Sequence, residues 1–400
     1  MKVFVADTLP DSSVSLLSGA GYSVVVALVR GPDLRDALER EAPQILVVRS
    51  TKVDQTAIEA SPALELVVRA GAGFDTIDVN SASRRGIFVA NCPGKNAAAV
   101  SELTIGFLIA LDRRIPDNVH AARGGRWDKA TFAKAQGLNG RTLAVIGTGN
   151  IGRAVIGRAK GLGMHVVAWS RSLTEQSADA LGVRRAASPE EAAGSADAVT
   201  LHVASSAATR HLAGPALFEA MKPGSLFVNT TRSAVVDEAA LRKALDQKGI
   251  RAGLDVFEGE PPYKQGPLDW SLASHPNVYL THHIGASTSQ AQEATATEAA
   301  RVISVYAETG RVPNCVNIAM QTAATHLLTV RHLDRVGVLA AVLDEIRQAN
   351  WNVQEMENMV FAGKDGAACA RIWFDGKPTG VVLEKVRRHE HVLAASLTNL

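Results

Sequence analysis

Three short segments in the second half of the chain place a charged or ionisable side chain near the end of an apolar run. Arg232, Glu260 and His283 each follow such a run within a few residues, and Asp255 closes the middle one. A guanidinium can bind a carboxylate or polarise a carbonyl, and an imidazole can donate or accept a proton. A neighbouring carboxylate orients the imidazole and favours its protonated form. These residue types predict proton-transfer chemistry on an anionic substrate.

A glycine-rich segment earlier in the chain indicates a second ligand beside these charged residues. The apolar run 143–146 leads into Gly147, Gly149 and Gly152, and a helix-like stretch follows. Glycines at this spacing permit a tight turn, a close approach of the backbone to a pyrophosphate, and close helix packing. The segment predicts a dinucleotide site, with Asn150 and Ile151 among its cofactor-binding residues.

The two observations become specific when they are combined. Taken singly, a strand-end arginine is usually a surface ion pair and a lone histidine is usually a packing residue. Ligands of open α/β sheets bind outside the carboxyl ends of the strands, so the charged residues should converge beside the dinucleotide. Thr230 is assigned to the cofactor site with them. The combined set predicts hydride transfer between a nicotinamide cofactor and a 2-keto or 2-hydroxy acid.

The elements that must position these residues alternate strand and helix in two series. Such alternation predicts two Rossmann-like or flavodoxin-like doubly wound parallel sheets, with long helices at 97–111 and 289–309. The predicted strands of the first series are residues 3–6, 23–27, 45–48, 66–68 and 88–90. Those of the second are residues 143–146, 166–169, 198–202, 226–229, 252–255 and 278–281.

The last part of the chain has a different pattern. Residues 319–325 are small and polar, as in a linker. Beyond them the order strand, helix, strand, strand, helix, strand predicts a ferredoxin-like βαββαβ unit over residues 326–400. The predicted elements are residues 327–330, 338–348, 353–360, 368–374, 381–388 and 392–397.

Composition excludes several classes of protein. The 400 residues suffice for two or three domains, and 46% apolar with 20% charged residues is typical of a globular α/β protein. A net charge of +2 without a basic block predicts no nucleic-acid partner and no membrane surface. The three cysteines lie far apart, so neither a disulfide framework nor a metal site is expected. With no apolar run of about 20 residues and no signal-peptide pattern, we expect a soluble, cytoplasmic protein.

The glycine loop, Arg232, Glu260 and the segment from His283 to Ser287 resemble the D-2-hydroxyacid dehydrogenase family, over most of the chain. Within that family the chain is most similar to members that oxidise 3-phosphoglycerate and carry a C-terminal ACT domain. The resemblance implies a split substrate domain at 1–96 and 288–318, a dinucleotide-binding domain at 97–287, and an ACT domain at 326–400.

The same resemblance implies roles for individual residues. Arg232 would bind the carboxylate and carbonyl of the substrate, and His283 would be the general acid and base. Glu260 would orient His283 and raise its pKa. Asp255 would face the nicotinamide amide.

The substrate loops resemble those that hold the phosphate and carboxylate of phosphoglycerate. They contain Arg49, Ser50, Arg69, Ala70 and Gly71, and Asn96 would approach the site from the crossover between domains. Two arginines and backbone N–H groups would form an anion cradle. The alternative, weighed equally, is that both arginines pair with local carboxylates.

Three segments depart from the family pattern. His282 stands where proline is usual, before the catalytic histidine. The segment from Leu201 to Ser206 lacks the usual proline, and the basic segment with a central tryptophan is Arg126-Trp127-Asp128-Lys129.

Cofactor preference depends on the end of the second strand of the dinucleotide series. Ser170, Arg171 and Ser172 occupy the place where a carboxylate would bind the ribose 2′-hydroxyl of NAD. An arginine with two hydroxyls suits the 2′-phosphate of NADP. The resemblance favours NAD and the local chemistry favours NADP; we lean modestly to NADP.

In the C-terminal unit, His332, Asp334 and Asn352 match positions that contact serine in some regulated relatives. We expect either an L-serine effector site or a module used only for dimerisation, in a homodimer or homotetramer.

The leading functional hypothesis is oxidation of 3-phosphoglycerate to 3-phosphohydroxypyruvate, the entry to serine synthesis. An NADPH-dependent glyoxylate or hydroxypyruvate reductase is the alternative enzyme. A dinucleotide-sensing scaffold with little turnover is the alternative of another class.

Overall fold

The computed structural model describes residues 1–261, 265–319, 322–363 and 366–400. The chain forms two compact units, Met1–Asn317 and Ile318–Leu400. Of the predicted linker at 319–325, residues 320 and 321 lie outside the described part, as does Pro262 after the Glu260 segment.

The first unit begins with a five-stranded sheet of order β2-β1-β3-β4-β5, parallel throughout. Its strands are β1 Lys2–Val5, β2 Ser23–Val26, β3 Ile45–Val48, β4 Leu66–Arg69 and β5 Phe88–Ala90. The helices between them are α1 Asp11–Gly19, α2 Pro32–Glu41, α3 Gln55–Glu59 and α4 Val79–Arg84. The central strand β3 is buried at every position, as its continuous apolar sequence requires in a sheet covered on both faces.

Three helices follow, namely α5 Ala97–Arg113, α6 Ile115–Arg123 and α7 Lys129–Phe132. A seven-stranded parallel sheet comes next, with strand order β12-β11-β10-β9-β6-β7-β8. Its strands are β6 Thr142–Ile146, β7 His165–Trp169, β8 Arg184–Arg185, β9 Ala198–Leu201, β10 Leu226–Asn229, β11 Arg251–Leu254 and β12 Val278–Leu280. The helices are α8 Asn150–Gly161, α9 Glu175–Leu181, α10 Pro189–Ser195, α11 Pro215–Ala220 and α12 Glu238–Lys248, with 3₁₀ turns at Ala207–Thr209 and Ser233–Val235.

Two long helices cross between the sheets. Helix α5 buries Phe107 and Leu108 in the core cluster that contains Val145 of the second sheet, although it follows the first sheet in the chain. Helix α13, Ser289–Thr309, follows the second sheet but buries Val302 in the core cluster that contains Val3 of the first. The split substrate domain implied by the resemblance requires both crossings; its boundaries stay a prediction.

The outer edge of β5 is closed by the segment that leaves α13. The N–H of Val316 donates to the carbonyl of Val89 at 2.8 Å. The side chain of Asn317 accepts from the N–H of Val89 at 2.8 Å and donates to the carbonyl of Ile87 at 2.9 Å. Its amide nitrogen also donates to the hydroxyl of Ser83 at 3.1 Å. The Asn317 side chain and the Val316 backbone together take the place of a neighbouring strand.

The second unit has the predicted order βαββαβ. Its antiparallel sheet runs β14-β15-β13-β16. The elements are β13 His326–Leu333, α14 Val338–Gln348, β14 Asn352–Val360, β15 Ala367–Asp375, α15 Gly380–Arg388 and β16 Val392–Asn399. Its core is apolar, and Trp351 stacks on Phe374 with ring centroids 4.3 Å apart. Among the described residues, no helix is long and apolar enough to cross a membrane.

Candidate active site

The glycine loop has the shape that a dinucleotide needs. Gly147 has a φ of +104°, and a Cβ there would lie 2.5 Å from the carbonyl oxygen of His202. A Cβ on Gly152 would overlap the carbonyl oxygen of Gly147, whereas the space beside Gly149 is open. Helix α8 starts at Asn150, directly after the loop, so its free N–H groups face that open space. The backbone therefore fits a pyrophosphate.

The other predicted cofactor residues lie around this loop. The Asn150 side chain contacts the crossover, because its Nδ2 lies 2.7 Å from where a Cβ of Gly94 would be. Ile151 packs against the core beneath the loop. Thr230 is buried, and its Oγ1 lies 3.3 Å from that of Thr104 on α5. Helix α5 thus closes one side of the cofactor cleft.

The end of β7 presents a free cation. Ser170 and Ser172 face each other, with their hydroxyl oxygens 3.4 Å apart. Arg171 is exposed and has no ion-pair or hydrogen-bond partner in the described part of the chain. The nearby Glu175 is bound by Arg185 at 3.0 Å. Among the residues that the structure describes, this corner therefore holds an unpaired guanidinium, and the carboxylate of Glu175 is already bound.

His283 and Glu260 form a hydrogen-bonded pair. Nδ1 of His283 lies 2.8 Å from Oε2 of Glu260, and the histidine side chain remains 49% exposed. The hydrogen bond to Glu260 raises the pKa of His283 above its usual value, although partial burial opposes this. Its other ring nitrogen, Nε2, has no protein partner in the described chain, so it is available to a ligand.

Asp255 supports the turn that carries His283. The backbone of His283 is in the left-handed region, with a φ of +52°, and its N–H donates to the Asp255 carbonyl at 2.9 Å. The buried Asp255 carboxylate accepts from the Thr281 hydroxyl at 2.6 Å and from the N–H groups of Ile284 and Gly285 at 2.8 Å each. The predicted contact with a nicotinamide amide would have to share this carboxylate with the turn.

Arg232 reaches from the second sheet towards the first. Its Nη1 donates to the carbonyl of Thr231 at 2.8 Å. Its Nη2 and Nε donate to the carboxylate of Asp75 at 3.1 and 3.4 Å. The guanidinium lies over Gly73, where a Cβ would overlap Nη2. Its charge acts against protonation of His283, which places the two within electrostatic range.

Arg69 provides a second cation at this position. Its guanidinium lies over Gly71, and its Nε is buried without a hydrogen-bond partner in the described chain. Burial lowers the pKa of Arg69, and repulsion from Arg232 lowers it further. No acceptor among the described residues takes the N–H groups of Ala72 and Gly73. A cation and N–H groups that have no acceptor among the described residues suit an anion.

The loop after β3 is arranged differently from the prediction. The N–H groups of Arg49, Ser50 and Thr51 donate to one carboxylate oxygen of Asp7, at 2.7, 3.0 and 2.9 Å. The Ser50 hydroxyl donates to the other oxygen at 3.1 Å. Burial alone would raise the pKa of Asp7, but the three N–H groups hold it below its usual value. The expected backbone cradle at this loop is therefore already filled by a carboxylate of the protein.

The structure differs from the alternative in which the side chains of Arg49 and Arg69 pair with local carboxylates. Neither Arg49 nor Arg69 forms a side-chain ion pair within the described ranges. The N–H of Ala70 is also unavailable to a ligand, because it donates to the Val48 carbonyl at 2.7 Å. Asn96 precedes α5, and its Oδ1 is buried without a partner in the described structure. The cations and Asn96 remain free, whereas the N–H groups of Ser50 and Ala70 are occupied.

The segments that depart from the family pattern have ordinary structural roles. His282 is exposed. His202 is buried and bonded to Thr200 at 3.0 Å, and burial lowers the pKa of His202 to about 3. Asp128 caps α7 by accepting from Thr131 at 3.0 Å, and Trp127 is 90% exposed.

The predicted effector residues are not together in the second unit. His332 is buried, with its Nδ1 2.7 Å from the Leu333 carbonyl and its Nε2 3.2 Å from Oδ1 of Asn358. His332 pairs in register with Ala368, whereas Asn352 pairs with Asp375. These positions lie roughly 20 Å apart along the strands. One copy of the unit cannot bring His332 and Asn352 to one small ligand.

The chain matches a protein family, individual relatives and solved structures. Residues 105–285 match the NAD-binding domain of the D-isomer specific 2-hydroxyacid dehydrogenases. The D-3-phosphoglycerate dehydrogenase of Methanocaldococcus jannaschii is 38% identical over 321 residues, 80% of this chain and 60% of the relative. The glyoxylate reductase of Thermococcus litoralis is 33% identical over 332 residues, 81% of this chain and 98% of the relative. This chain thus spans little more than half the length of the phosphoglycerate relatives, with 60% and 54% for the two archaeal ones.

Solved structures show the same fold with either cofactor. The NAD⁺-bound 3-phosphoglycerate dehydrogenase of Entamoeba histolytica is 25% identical, with a TM-score of 0.66 over 80% of this chain and 99% of that one. The NADPH-dependent glyoxylate/hydroxypyruvate reductase of Sinorhizobium meliloti, in complex with NADP and malonate, is 27% identical. Its TM-score is 0.66 over 79% of this chain and 96% of that one.

Proposed function

Because this chain belongs to the D-isomer specific 2-hydroxyacid dehydrogenase family, we propose that it transfers a hydride between a nicotinamide cofactor and a 2-hydroxy acid, with 3-phosphoglycerate as the substrate oxidised. The observation that carries the proposal is the His283–Glu260 pair, 2.8 Å apart, within electrostatic range of Arg232. An imidazole with one nitrogen held by a carboxylate and the other free is equipped to exchange a proton with a substrate.

Each residue of the site has its own role in the reaction. Arg232, with the unpaired N–H groups of Ala72 and Gly73, holds the substrate carboxylate. Nε2 of His283 takes the proton of the C2 hydroxyl during oxidation and returns it during reduction, while Glu260 stabilises the imidazolium. A nicotinamide cofactor held by the glycine loop through its pyrophosphate would supply the hydride chemistry at C2.

The substrate choice rests on surplus positive charge. One arginine suffices for the carboxylate of any 2-hydroxy acid, and Arg232 takes that role. Arg49 and Arg69 then remain without ion-pair partners in the described chain, and the charge of Arg49 acts against that of Arg69. A second, doubly charged anionic group on the substrate would neutralise them. A phosphate on C3 supplies it, in agreement with the activity for which several relatives are named.

A second candidate is an NADPH-dependent glyoxylate or hydroxypyruvate reductase. The exposed, unpartnered Arg171 beside two serine hydroxyls favours it, since these groups suit a 2′-phosphate. The glyoxylate reductase relative, 98% of whose length the chain matches, is consistent with it.

For the second unit we propose an ACT-like module that pairs with another copy, in a homodimer or homotetramer. The separation of His332 from Asn352 means that an L-serine site would need residues from two units. Calorimetric titration of the whole protein with L-serine, repeated during turnover, tests this; neither heat nor inhibition would leave the module a role in assembly only.

A steady-state panel tests the enzymatic proposal. NAD and NADP are each crossed with 3-phosphoglycerate, D-glycerate and glycolate, and the reverse reactions are measured with the keto acids. We expect 3-phosphoglycerate to give the highest kcat/KM. Preference for glyoxylate and NADPH in the reverse direction would select the second candidate.

Two adjacent histidines provide a matched pair of variants. His283→Ala should lower turnover at least a hundredfold, the lower end of the usual contribution of an acid–base group, and leave cofactor binding intact. His282→Ala changes an exposed neighbour and should stay close to the wild type. Equal activity of the two variants would refute the assignment, and cofactor binding without turnover on any acid would favour a sensing scaffold.

A further inference from the structure

Asp75 binds the arginine of the candidate active site from the opposite side of the cleft. It lies in the turn that follows β4 of the first sheet, whereas Arg232 follows β10 of the second sheet. Its two carboxylate oxygens accept from Nη2 and Nε of Arg232, at 3.1 and 3.4 Å. The Asp75 side chain is 63% exposed and that of Arg232 is 33% exposed. This contact therefore connects the two sheets at the site itself.

The geometry leaves one edge of the guanidinium for a ligand. A guanidinium has five N–H groups in a fixed plane. Asp75 takes the edge formed by Nε and Nη2, and the Thr231 carbonyl takes one N–H of Nη1. In the described part of the chain no carboxylate takes the edge formed by Nη1 and Nη2, and this edge can bind a carboxylate through two parallel hydrogen bonds. Asp75 does not occupy the place of the substrate; it fixes the plane in which the substrate carboxylate would bind.

Charge gives Asp75 a second effect. Arg69 and Arg232 repel each other, and the half-buried Arg69 has no ion pair in the described chain. Asp75 interacts favourably with both arginines, and this holds the pKa of the Asp75 carboxyl below its usual value although partial desolvation acts to raise it. Asp75 thus reduces the repulsion between the two cations before any substrate arrives.

We propose that Asp75 is a positioning residue that orients Arg232 for the substrate carboxylate and makes this orientation depend on contact between the two sheets. The inference rests on the proposed function only in naming the ligand of Arg232. It goes beyond that function because Asp75 itself touches neither the substrate nor the cofactor.

The test compares two probe anions on the whole protein with NADH bound. Oxalate reports on carboxylate binding, and inorganic phosphate reports on the general attraction of the site for anions. Asp75→Asn keeps the shape of the side chain and removes its charge. Asp78→Asn is the matched control, because Asp78 lies three residues away and caps α4 by accepting from Ser81 at 2.9 Å.

In Asp75→Asn we expect the Kd of oxalate to rise roughly five- to tenfold. This rise is larger than that expected from the loss of an exposed ion pair and smaller than that from the loss of a charge-assisted hydrogen bond. Removal of a negative charge should leave phosphate affinity unchanged or increase it. In turnover, the KM for the 2-hydroxy acid should rise more than kcat falls. Asp78→Asn should match the wild type in all of these measurements.

A double-mutant cycle separates orientation from other effects. Arg232→Lys removes the planar fork, so Asp75→Asn should change oxalate affinity little in that background. Oxalate binding that is unchanged or tighter in Asp75→Asn alone would overturn the proposal, and tighter binding would make Asp75 a competitor of the substrate. The binding experiments need no turnover, so they decide the role of Asp75 even where the enzymatic panel fails.

Discussion

Replacing Asp255 with asparagine removes one acceptor from beneath the turn that carries His283. One carboxylate oxygen accepts from Thr281 and Ile284, and the other accepts from Gly285. An asparagine amide nitrogen in either position would point a donor at a backbone N–H. In one orientation Gly285 loses its acceptor, and in the other Ile284 does. The substitution cannot satisfy both N–H groups.

The size of the effect follows from this loss. A buried N–H without an acceptor costs about 1–3 kcal/mol, and 1.4 kcal/mol is a factor of ten in an equilibrium constant. The ratio of the correct turn to its other conformations therefore falls about 5- to 150-fold. We expect kcat of Asp255→Asn to fall by a factor in that range. The free energy of unfolding should decrease by up to the same 1–3 kcal/mol.

The assay measures three quantities on one preparation: kcat with both substrates saturating, the urea midpoint, and the Kd of NADH by fluorescence. Asp246→Asn is the control, because Asp246 is a 55% exposed acidic residue whose carboxylate, among the described residues, contacts His275 alone. Turnover within twofold of the wild type, with unchanged stability and weaker NADH binding, would refute the reasoning. It would assign Asp255 to the cofactor amide instead.

Three further predictions concern the other carboxylates. In Glu260→Gln the pKa of His283 should fall, so the rise of the oxidation rate with pH should occur at lower pH than in the wild type. A rise at the same pH as in the wild type would show that Glu260 does not raise the pKa of His283. Asp7→Ala should free the loop of Arg49 and raise the KM for 3-phosphoglycerate more than that for D-glycerate, and equal increases would contradict a phosphate role. The pKa of Glu298 is lowered from 4.5 to about 2, chiefly by the hydrogen bond from Arg301. The stabilisation from the ionised carboxylate is thus present above pH 4.5 and lost as the pH falls towards 2. Measured by urea, the free energy of unfolding of Glu298→Gln should therefore equal that of the wild type near pH 2 and be lower at pH 7. The same deficit at both pH values would disprove this linkage.

The strands were predictable because burial on both faces imposes continuous apolar runs. All eleven predicted strands of the first unit appear within about two residues of their predicted ends, a usual boundary uncertainty. Strand β8 was missed because it consists of Arg184 and Arg185, two exposed residues at a sheet edge. Helix α6 was missed because its sequence mixes exposed apolar and charged residues and buries only Ala121.

The site was predictable where a residue follows a strand of the second sheet. Glu260 and His283 are 23 positions apart, yet strand ends of a parallel sheet bring them to 2.8 Å. Asp7 and Asp75 were missed, because a single aspartate in a loop has no spacing that distinguishes it from a surface residue. Their position after strands of the first sheet is the one signal that pointed to them, and it is weaker for Asp75, which lies six residues beyond β4. The separation of His332 from Asn352 was beyond the sequence, because strand register decides it.

The closed edge of β5 has a practical consequence for dissecting the protein. The hydrogen bonds that cover this edge end with the side chain of Asn317, the last residue of the first unit. A chain cut after Asn317 would keep every one of them and would expose no unpaired strand to aggregation. The first unit is thus delimited for separate expression, whereas a cut before Val316 would open the sheet.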